Sequence, residues 1–469
     1  MIPIVTPSEM AGVDRAAAEP VEVLVGRAGF EAARTARAML GGCYGRRVVV
    51  VAGRGNNGAD GRAAAAVLRR WGAAAVLIEA GSLRAGDRLP DADLVIDAAY
   101  GTGLSRAYTP PDPGGAPVLA IDIPSGLSGV TGEPVEGGVA VVAARTVTFA
   151  ALKPGLLLGD GPEHTGTVRV AGIGLAALAD AAARAWLVTD ADFAAGWTPR
   201  ARRAHKWQTA VQVVGGSPAM HGAPLLMAQG ALRAGAGYAR VGVPGGGPGG
   251  GLPPGEHVGH GLPEHAWGEE AAVSARRARA IAVGPGLGEL ARGAGGGGGA
   301  ASPVGRLLIA AGDLPAVVDA DALGALGPAE SLQEVLGGRS APVVLTPHEG
   351  EYRSLVGRPP DADRIRDVRD TAAKTGAVVL LKGSPTVVAG PDGRVLVVNA
   401  GSARLATAGT GDVLTGVIAA FLARGLPALE AAAFAAHCHG RAAALGPAEG
   451  LVASDLPALV SRWLSRVAG

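Results

Sequence analysis

RVVVVAGRGNNGADG, residues 47–61, places an unbroken run of valines against a Gly-rich turn. A short continuous apolar run of this kind reads as a strand buried on both faces. A helix is predicted to follow, from about Arg62 to Trp71. Strand, Gly-rich loop and helix, in that order, open a doubly wound parallel sheet with the loop at the helix N-terminus. The glycine spacing is not the usual dinucleotide fingerprint, and a bare Gly turn would carry little. Here Asn56, Asn57 and Asp60 add amide donors, a carbonyl ligand and a carboxylate to the loop, which points to a ligand cradle.

The next two strands have the same form. Leu94-Val95-Ile96 runs into Asp97 and then Tyr100-Gly101-Thr102-Gly103-Leu104, and Val118 to Ile121 runs into Asp122-Ile123-Pro124-Ser125-Gly126. One Asp at a strand end is usually a turn former. Three polar, Gly-bearing loops at the carboxyl ends of successive strands mark the edge where open α/β sheets bind ligands. Asn57, Asp97 and Ser125 offer only hard oxygen ligands, so a metal held there would be an alkali or alkaline-earth cation. Upstream, residues 8–40 carry a helical pattern, with Ser8 as the expected cap and Glu9 in the first turn.

Bulk properties narrow the class. A chain of 469 residues exceeds one ordinary core and predicts two α/β domains, at 1–185 and 195–469. The composition is 48% hydrophobic but only 3% aromatic, so the cores are built from Ala, Val and Leu. A formal net charge of +1 argues against a nucleic-acid or membrane-surface partner. Two cysteines, Cys43 and Cys438, form no disulfide framework, and a reducing cytoplasm is expected. The first residues show no charged, apolar leader, and no apolar run is long enough to span a bilayer, so neither export nor membrane insertion is expected. Lysine and asparagine are scarce. Lys153, Lys206, Lys374 and Lys382 are the only lysines, and Asn56, Asn57 and Asn399 the only asparagines. In so Ala-, Gly- and Arg-rich a chain, these positions point to chemistry that Arg or Asp cannot supply.

The first half resembles the NAD(P)H-hydrate epimerase family. The resemblance runs from about residue 5 to residue 175 on NNGADG at 56–61, DAAYGTGL at 97–104, DIPSG at 122–126 and TFAALKPG at 148–155. It implies a Rossmann-like, three-layer αβα fold. It implies substrate contacts at Asn56, Asn57, Gly58, Ala59 and Asp60, at Gly101, Thr102, Gly103, Leu104, Ser105, Arg106 and Ala107, and at Asp122, which would be catalytic. It also implies a potassium ion on Asn57, Asp97 and Ser125. Ala59 stands where the family usually has Gly. If that position requires positive φ, which Ala resists, the epimerase activity is what would suffer.

After a loosened, Ala-rich passage at 176–203 a second strand–helix alternation begins, predicting a mostly parallel sheet with helices on both faces. Strand-end loops recur at Gly215-Gly216-Ser217, Gly284 to Gly288, Asp319 to Leu323, Thr346 to Glu351 and Lys382 to Thr386. The glycine runs at 245–251 and 295–299 join no strong strand to a helix and read as flexible insertions. His437, Cys438 and His439 fall at successive positions of one Ala-rich helix and so cannot share a metal ion. A strand-end His348 next to Pro347 reads as a turn residue or a ligand. Lys382, before a Gly, reads as a phosphate contact.

The most informative stretch of this half is NAGSARLATAGTGDVLTGVIAAF, residues 399–421. Apolar residues at spacings of three and four predict a helix starting near Gly409-Thr410-Gly411-Asp412. Free N–H groups gather at such an end and bind phosphate or a developing oxyanion. Asp412 either caps the first turn or acts as a general base on an attacking hydroxyl.

This half is similar to the ADP/ATP-dependent NAD(P)H-hydrate dehydratases, which have a ribokinase-like α/β fold. The matching pieces are His205-Lys206, GGS at 215–217, GAP at 222–224, GPGLG at 284–288, DADAL at 319–323, LTPHEGE at 345–351, LKGSPT at 381–386 and GTGD at 409–412. The resemblance implies contacts to the hydrated cofactor at Ala223, Gly286, His348 and Asp412. It implies nucleotide contacts at Lys382, Gly383, Ser384, Pro385 and Thr386 and at Gly411, beside Gly409 and Thr410. Asp412 then becomes the catalytic base rather than a cap. Together the halves imply a fused repair enzyme for NADH and NADPH hydrates. One domain would interconvert the R and S epimers. The other would dehydrate the S form at the expense of ADP, or ATP, with Mg²⁺. A homo-oligomer is the expected assembly. Two other readings stand beside it: a ribokinase-like kinase of the hydroxyethylthiazole or hydroxymethylpyrimidine type, and a non-catalytic binding role for the first domain.

Overall fold

The computed structural model describes residues 1–293 and 296–467, so Gly295 of the second glycine run lies outside the described residues. The chain forms two compact units, Ile2–Ala185 and Trp186–Gly469.

The first unit holds strands β1 (Ile2–Ile4), β2 (Arg47–Ala52), β3 (Ala74–Glu79), β4 (Leu94–Ala98), β5 (Val118–Ile121), β6 (Arg145–Phe149) and β7 (Thr167–Ala171). Its sheet has the order β3-β2-β4-β5-β6-β7, and every neighbouring pair is parallel. The chain turns back on itself at β2, whose neighbours are β3 and β4. The crevice beyond the carboxyl ends of β2 and β4 is therefore the topological switch point, where the 53–61 and 97–104 segments lie.

Two local readings change. The 8–40 pattern is two helices, Pro7–Ala16 and Val21–Leu40, separated by a break at Pro20. The cap of the first is Thr6 rather than Ser8. Thr6 Oγ1 accepts from the Glu9 N–H at 3.2 Å, and Glu9 accepts from the Thr6 N–H at 2.7 Å, a reciprocal capping box. The helix after β2 spans Asn56–Arg70, so NNGADG forms its first two turns and not a loop. Poor helix formers are tolerated there because the helix lies hard against the strand end. A Cβ at Gly58 would lie 1.8 Å from the Gly53 carbonyl oxygen, and one at Gly61 would lie 2.5 Å from Ala98 Cβ. Ala59 sits within this helix, and among the described residues positive φ outside glycine occurs only at Asp122, Ala150 and Ala320. The backbone requirement that would have penalised Ala59 does not exist.

The second unit contains β8 (Ala185–Leu187), β9 (Ala210–Val214), β10 (Tyr238–Pro244), β11 (Val258–Leu262), β12 (Ala280–Val283), β13 (Ala316–Val318), β14 (Val343–Leu345), β15 (Val378–Leu381), β16 (Thr386–Ala389) and β17 (Val395–Val398). They run in the order β8-β17-β16-β15-β14-β13-β12-β9-β10-β11. From β15 through β11 the pairs are parallel, while β15–β16 and β16–β17 are antiparallel. The glycine run at 245–251 connects β10 to β11 as a structured turn, with positive φ at Gly247, Gly249, Gly250 and Gly251. The passage that looked loose is also structured. Phe193 is fully buried, with its ring 4.6 Å from Trp463 and 5.9 Å from Phe421.

The helix Thr410–Ala423 runs through the core of this unit against the helix Gly222–Arg233. Their backbones meet at glycines. A Cβ at Gly416 would lie 2.0 Å from the Met227 carbonyl oxygen, and one at Gly230 would lie 2.5 Å from that of Val413. Gly416→Ala gains up to about 1 kcal/mol of helix propensity. The clash is with backbone, and overpacking costs about 1–3 kcal/mol, so net destabilisation is expected. A lower urea midpoint for the second unit would show it; an unchanged or higher midpoint would refute the close crossing.

Candidate active sites, one in each unit

In the first unit the switch-point crevice is a cavity of about 570 Å³. Of the residues expected to touch substrate, Asn56, Asn57, Asp60, Gly101, Thr102, Gly103, Leu104, Ser105, Arg106 and Asp122 line it, whereas Gly58, Ala59 and Ala107 do not. Gly58 and Ala59 instead serve the helix turn behind the wall. Arg106 lies over the Tyr100 ring at 5.5 Å and donates to its hydroxyl at 3.2 Å.

Asp122 adopts φ 66°, a costly conformation for a residue with a Cβ and one that clusters at functional sites. Its carboxylate accepts from Lys153 Nζ at 2.5 Å and from Thr148 Oγ1 at 2.9 Å. Lys153 is 2% exposed and also donates to Thr148 Oγ1 at 2.8 Å. Two further carboxyls line the cavity, Asp60 and Asp14. Burial, then the charges of Asp122 and Asp14, push Asp60 up to about 8. Asp60 is therefore neutral and a hydrogen-bond donor at pH 7. Burial and Asp122 also raise Asp14, against the pull of Lys153. Motif reading missed Asp14, which arrives from the N-terminal helix, and assigned no role to Lys153, although it is scarce and lies in the TFAALKPG motif.

Of the expected metal ligands, Asn57 lines the cavity, whereas Asp97 and Ser125 are not among its lining residues. Asp97 is buried and accepts from the Ser125 N–H at 2.8 Å and from Ser125 Oγ at 2.7 Å. Burial, opposed by those hydrogen bonds, raises it to about 6. Both amide atoms of Asn57 are buried without a hydrogen-bond partner among the described residues. A buried amide left unpaired is costly, and this orphan carbonyl oxygen is the kind of ligand a large, oxygen-seeking cation takes.

In the second unit the strand-end loops gather at the start of the Thr410–Ala423 helix. Gly409 is its N-cap, at φ 88°, and no side chain caps the turn. Asp412 therefore does not spend its carboxylate on capping. Burial, then Asp319, raises it to about 6, against the pull of Lys382. Lys382 Nζ donates to Asp319 Oδ1 at 2.8 Å and lies 3.6 Å from Glu351 Oε2. Burial pulls this ammonium down, but Asp319 and Glu351 outweigh it and hold it above its ordinary value. Thr415 Oγ1 donates to Asp319 Oδ2 at 2.7 Å, and a Cβ at Gly411 would lie 3.7 Å from Lys382 Nζ. Lys382, Asp319 and the GTGD turn thus form one cluster. Thr410 is turned inward, its hydroxyl donating to the Leu405 and Thr407 carbonyls.

Ala223 and Gly286 lie together: a Cβ on Gly286 would sit 3.3 Å from that of Ala223. His348 Nδ1 accepts from the Gly350 N–H at 2.9 Å and from the Glu351 N–H at 3.3 Å. It caps the helix Glu349–Val356, and its 59% exposed side chain leaves Nε2 for solvent or a ligand, 3.4 Å from Glu351. Thr386 Oγ1 donates to Gly383 O at 3.2 Å across the 382–386 loop, which includes a cis Ser384–Pro385 bond. Beside it, Arg364 has two buried guanidinium nitrogens without partners, and its Nη2 would lie 2.8 Å from a Cβ on Gly383. Arg364 belongs to no quoted motif. Asp319 and Glu351 do, yet their pairing with Lys382 across the sheet is invisible in sequence. His437 pairs with Asp190 at 2.7 Å.

Among the described residues no cluster of three His, Cys, Asp or Glu side chains could cage a metal, and no helix is long and apolar enough to cross a membrane.

Comparison with known proteins agrees with this division. Residues 211–466 match the family described as NAD(P)H-hydrate dehydratase, and residues 21–85 and 78–155 match the YjeF-related protein N-terminus family. The bifunctional NAD(P)H-hydrate repair enzyme of Salinibacter ruber is 36% identical over 98% of this chain and 96% of its own length. That of Mycobacterium tuberculosis is 39% identical over 88% of this chain and 87% of its own. Among solved structures, an ADP/ATP-dependent NAD(P)H-hydrate dehydratase from Bacillus subtilis, co-crystallised with ATP and Mg²⁺, is 27% identical with a TM-score of 0.47, covering 60% of this chain and 97% of that one. With two matched units and full-length relatives well above 30% identity, the chain belongs to the bifunctional NAD(P)H-hydrate repair enzyme family.

Proposed function

We propose that the second unit dehydrates the S hydrate of NADH or NADPH by phosphorylating its ring hydroxyl, and that the first unit interconverts the R and S hydrates. The observation that carries this reading is Asp412, a largely buried carboxylate that caps nothing, in the first turn of the helix that starts beside the Lys382–Asp319 pair. The C6 hydroxyl loses its proton to Asp412 as its oxygen attacks the terminal phosphorus of the nucleotide. The bridging P–O bond breaks and AMP leaves, if the donor is ADP. Hydroxide is a poor leaving group and phosphate a good one. The C6–O bond then breaks with assistance from the ring nitrogen, phosphate departs, and loss of a C5 proton restores the dihydropyridine. The amides of Gly409 and Gly411 and the Lys382 ammonium would stabilise the transferring phosphoryl group. Ala223, Gly286 and His348 would hold the hydrated ring, and residues 382–386 the nucleotide.

Mg²⁺ ordinarily rides on substrate phosphates with one or two carboxylates. Asp319 and Glu351 fit that role and would be its protein contacts, with charge neutralisation as its contribution. In the first unit, K⁺ on Asn57, Asp97 and Ser125 would satisfy the orphan amide oxygen of Asn57 and help set the position of the Asp122 loop. Asp122, bonded to the Lys153 ammonium, and Asp60, whose burial favours its neutral form, present two unlike carboxyls to one cavity, which suits moving a proton off and onto the hydrated ring. The cytoplasm, where the reduced nicotinamide pool lies, is the proposed compartment, and a homo-oligomer the proposed state.

One assay tests the whole reading. Mixed R and S hydrates are incubated with ADP or with ATP, and both epimers are followed. Consumption of both, with ADP the better donor and AMP and phosphate as products, is expected. Accumulation of a stable phosphorylated compound would favour a small-molecule kinase. Consumption of the S form alone would leave the first unit a binding domain.

A further inference from the structure

His205-Lys206 stands out in sequence, yet neither active site uses it. It precedes β9, whereas the GGS turn follows the other end of that strand. The helix Thr410–Ala423 reaches the same region. It begins at the GTGD turn and ends at Arg424, about 20 Å away at 1.5 Å per residue. A cavity of about 430 Å³ lies there, at the opposite pole of the unit from the phosphoryl-transfer cluster.

Arg200, His205, Lys206 and Arg424 line this cavity together with Thr198 and Gln208, and no Asp or Glu is among its lining residues. Each cation is held by a carbonyl or a ring rather than by a carboxylate. Arg424 donates to the Thr198 carbonyl and stacks on the Trp197 ring at 4.1 Å. Arg200 donates to the Gly235 carbonyl at 2.6 Å. Lys206 lies 5.3 Å from the Trp207 ring and 5.5 Å from that of Tyr238. Burial and the charge of Arg200 push the Arg424 guanidinium below its ordinary value. The negative end of the helix offsets part of this charge, but several cations around a concave site whose lining holds no carboxylate call for an anion.

We propose that this cavity is a second anion site that binds a polyphosphate group, free or carried on a nucleotide, apart from the catalytic centre. Two guanidinium forks and an ammonium match the oxygens of linked phosphates, and the cavity exceeds what a single phosphate fills.

The test is calorimetric titration of tripolyphosphate into the full chain carrying Lys382→Ala, which weakens anion binding at the catalytic centre. Binding that weakens with added salt is expected. Adding Arg200→Gln and Lys206→Gln should lower the affinity at least tenfold, while Arg200→Lys with Lys206→Arg should retain it. In a chain with Lys382 intact, the Gln pair should leave S-hydrate dehydration and the nucleotide KM unchanged, which also shows that the unit folds. Displacement of tripolyphosphate by ATP identifies a nucleotide-borne group; its absence identifies a free one. Loss of all binding in the Lys382→Ala chain, or binding indifferent to the Gln pair, overturns the proposal. So does a change of oligomeric state in the Gln pair without anion binding in the parent chain, since the cations would then serve an interface.

Discussion

Replacing Asp412 with Asn is expected to lower the rate of S-hydrate dehydration by about 10²–10⁴-fold, the usual contribution of a positioned general base. The nucleotide KM should change little, because Lys382 and the helix amides remain. Recovery of NADH absorbance from the S hydrate with ADP measures the effect, and an unaffected variant would remove Asp412 from the chemistry. The pH profile gives a second readout. Asp412 must be ionised to accept a proton, and burial with Asp319 raises it to about 6. The wild-type rate should therefore fall as pH drops through about 6, and the residual rate of the Asn variant should lack that limb. Stability should move the other way. A carboxyl whose folded pKa is raised stabilises the fold below its unfolded pKa, and that contribution is lost as pH rises through the folded value. At pH 7 the buried charge is a cost that Asn removes, so lost activity cannot be charged to unfolding.

Asp122→Asn should reduce conversion of R to S hydrate by at least about 10²-fold while leaving dehydration of pure S hydrate untouched. The amide keeps the side chain's shape and an oxygen for Lys153, but not the charge that the buried ammonium faces at 2.5 Å. Asn57→Ala should share the phenotype and abolish any stimulation by K⁺, since it removes the orphan amide oxygen at the cavity wall. R-form repair at the wild-type rate in the Asp122 variant would overturn the assignment of the first unit.

Much of the architecture was legible because strand ends and glycines leave local signals. The valine run of β2, the Asp97 and Asp122 loops and the GTGD turn all lie where the sequence pattern puts them. Errors fell where tertiary contacts override local preference. Asn56 to Gly61 looked like a loop because Asn, Gly and Asp are poor helix formers. Close packing against Gly53 and Ala98 makes the segment helical, and this also removes the positive-φ requirement that Ala59 would have failed. Ser8 looked like a cap, but the backbone turns two residues earlier, at Thr6. The antiparallel β15–β16–β17 ladder could not be told from parallel strands by hydrophobicity, since all three are buried.

The sequence by itself determined the two α/β units, the strand-end loops that can bind ligands, and a short set of candidate residues, the scarce Asn57 and Lys382 and the helix-start Asp412 among them. It does so because turns, helix starts and buried strands are dictated over a few neighbouring residues. Only the tertiary structure decided which charges meet. It set Lys153 against Asp122 at φ 66°, brought Asp14 and Asp60 into the same cavity, and joined Lys382 to Asp319 and Glu351. It also left Asp412 free of its cap. Those pairings join residues from different elements, some of them far apart in the chain, and depend on sheet order and register, which no local pattern records.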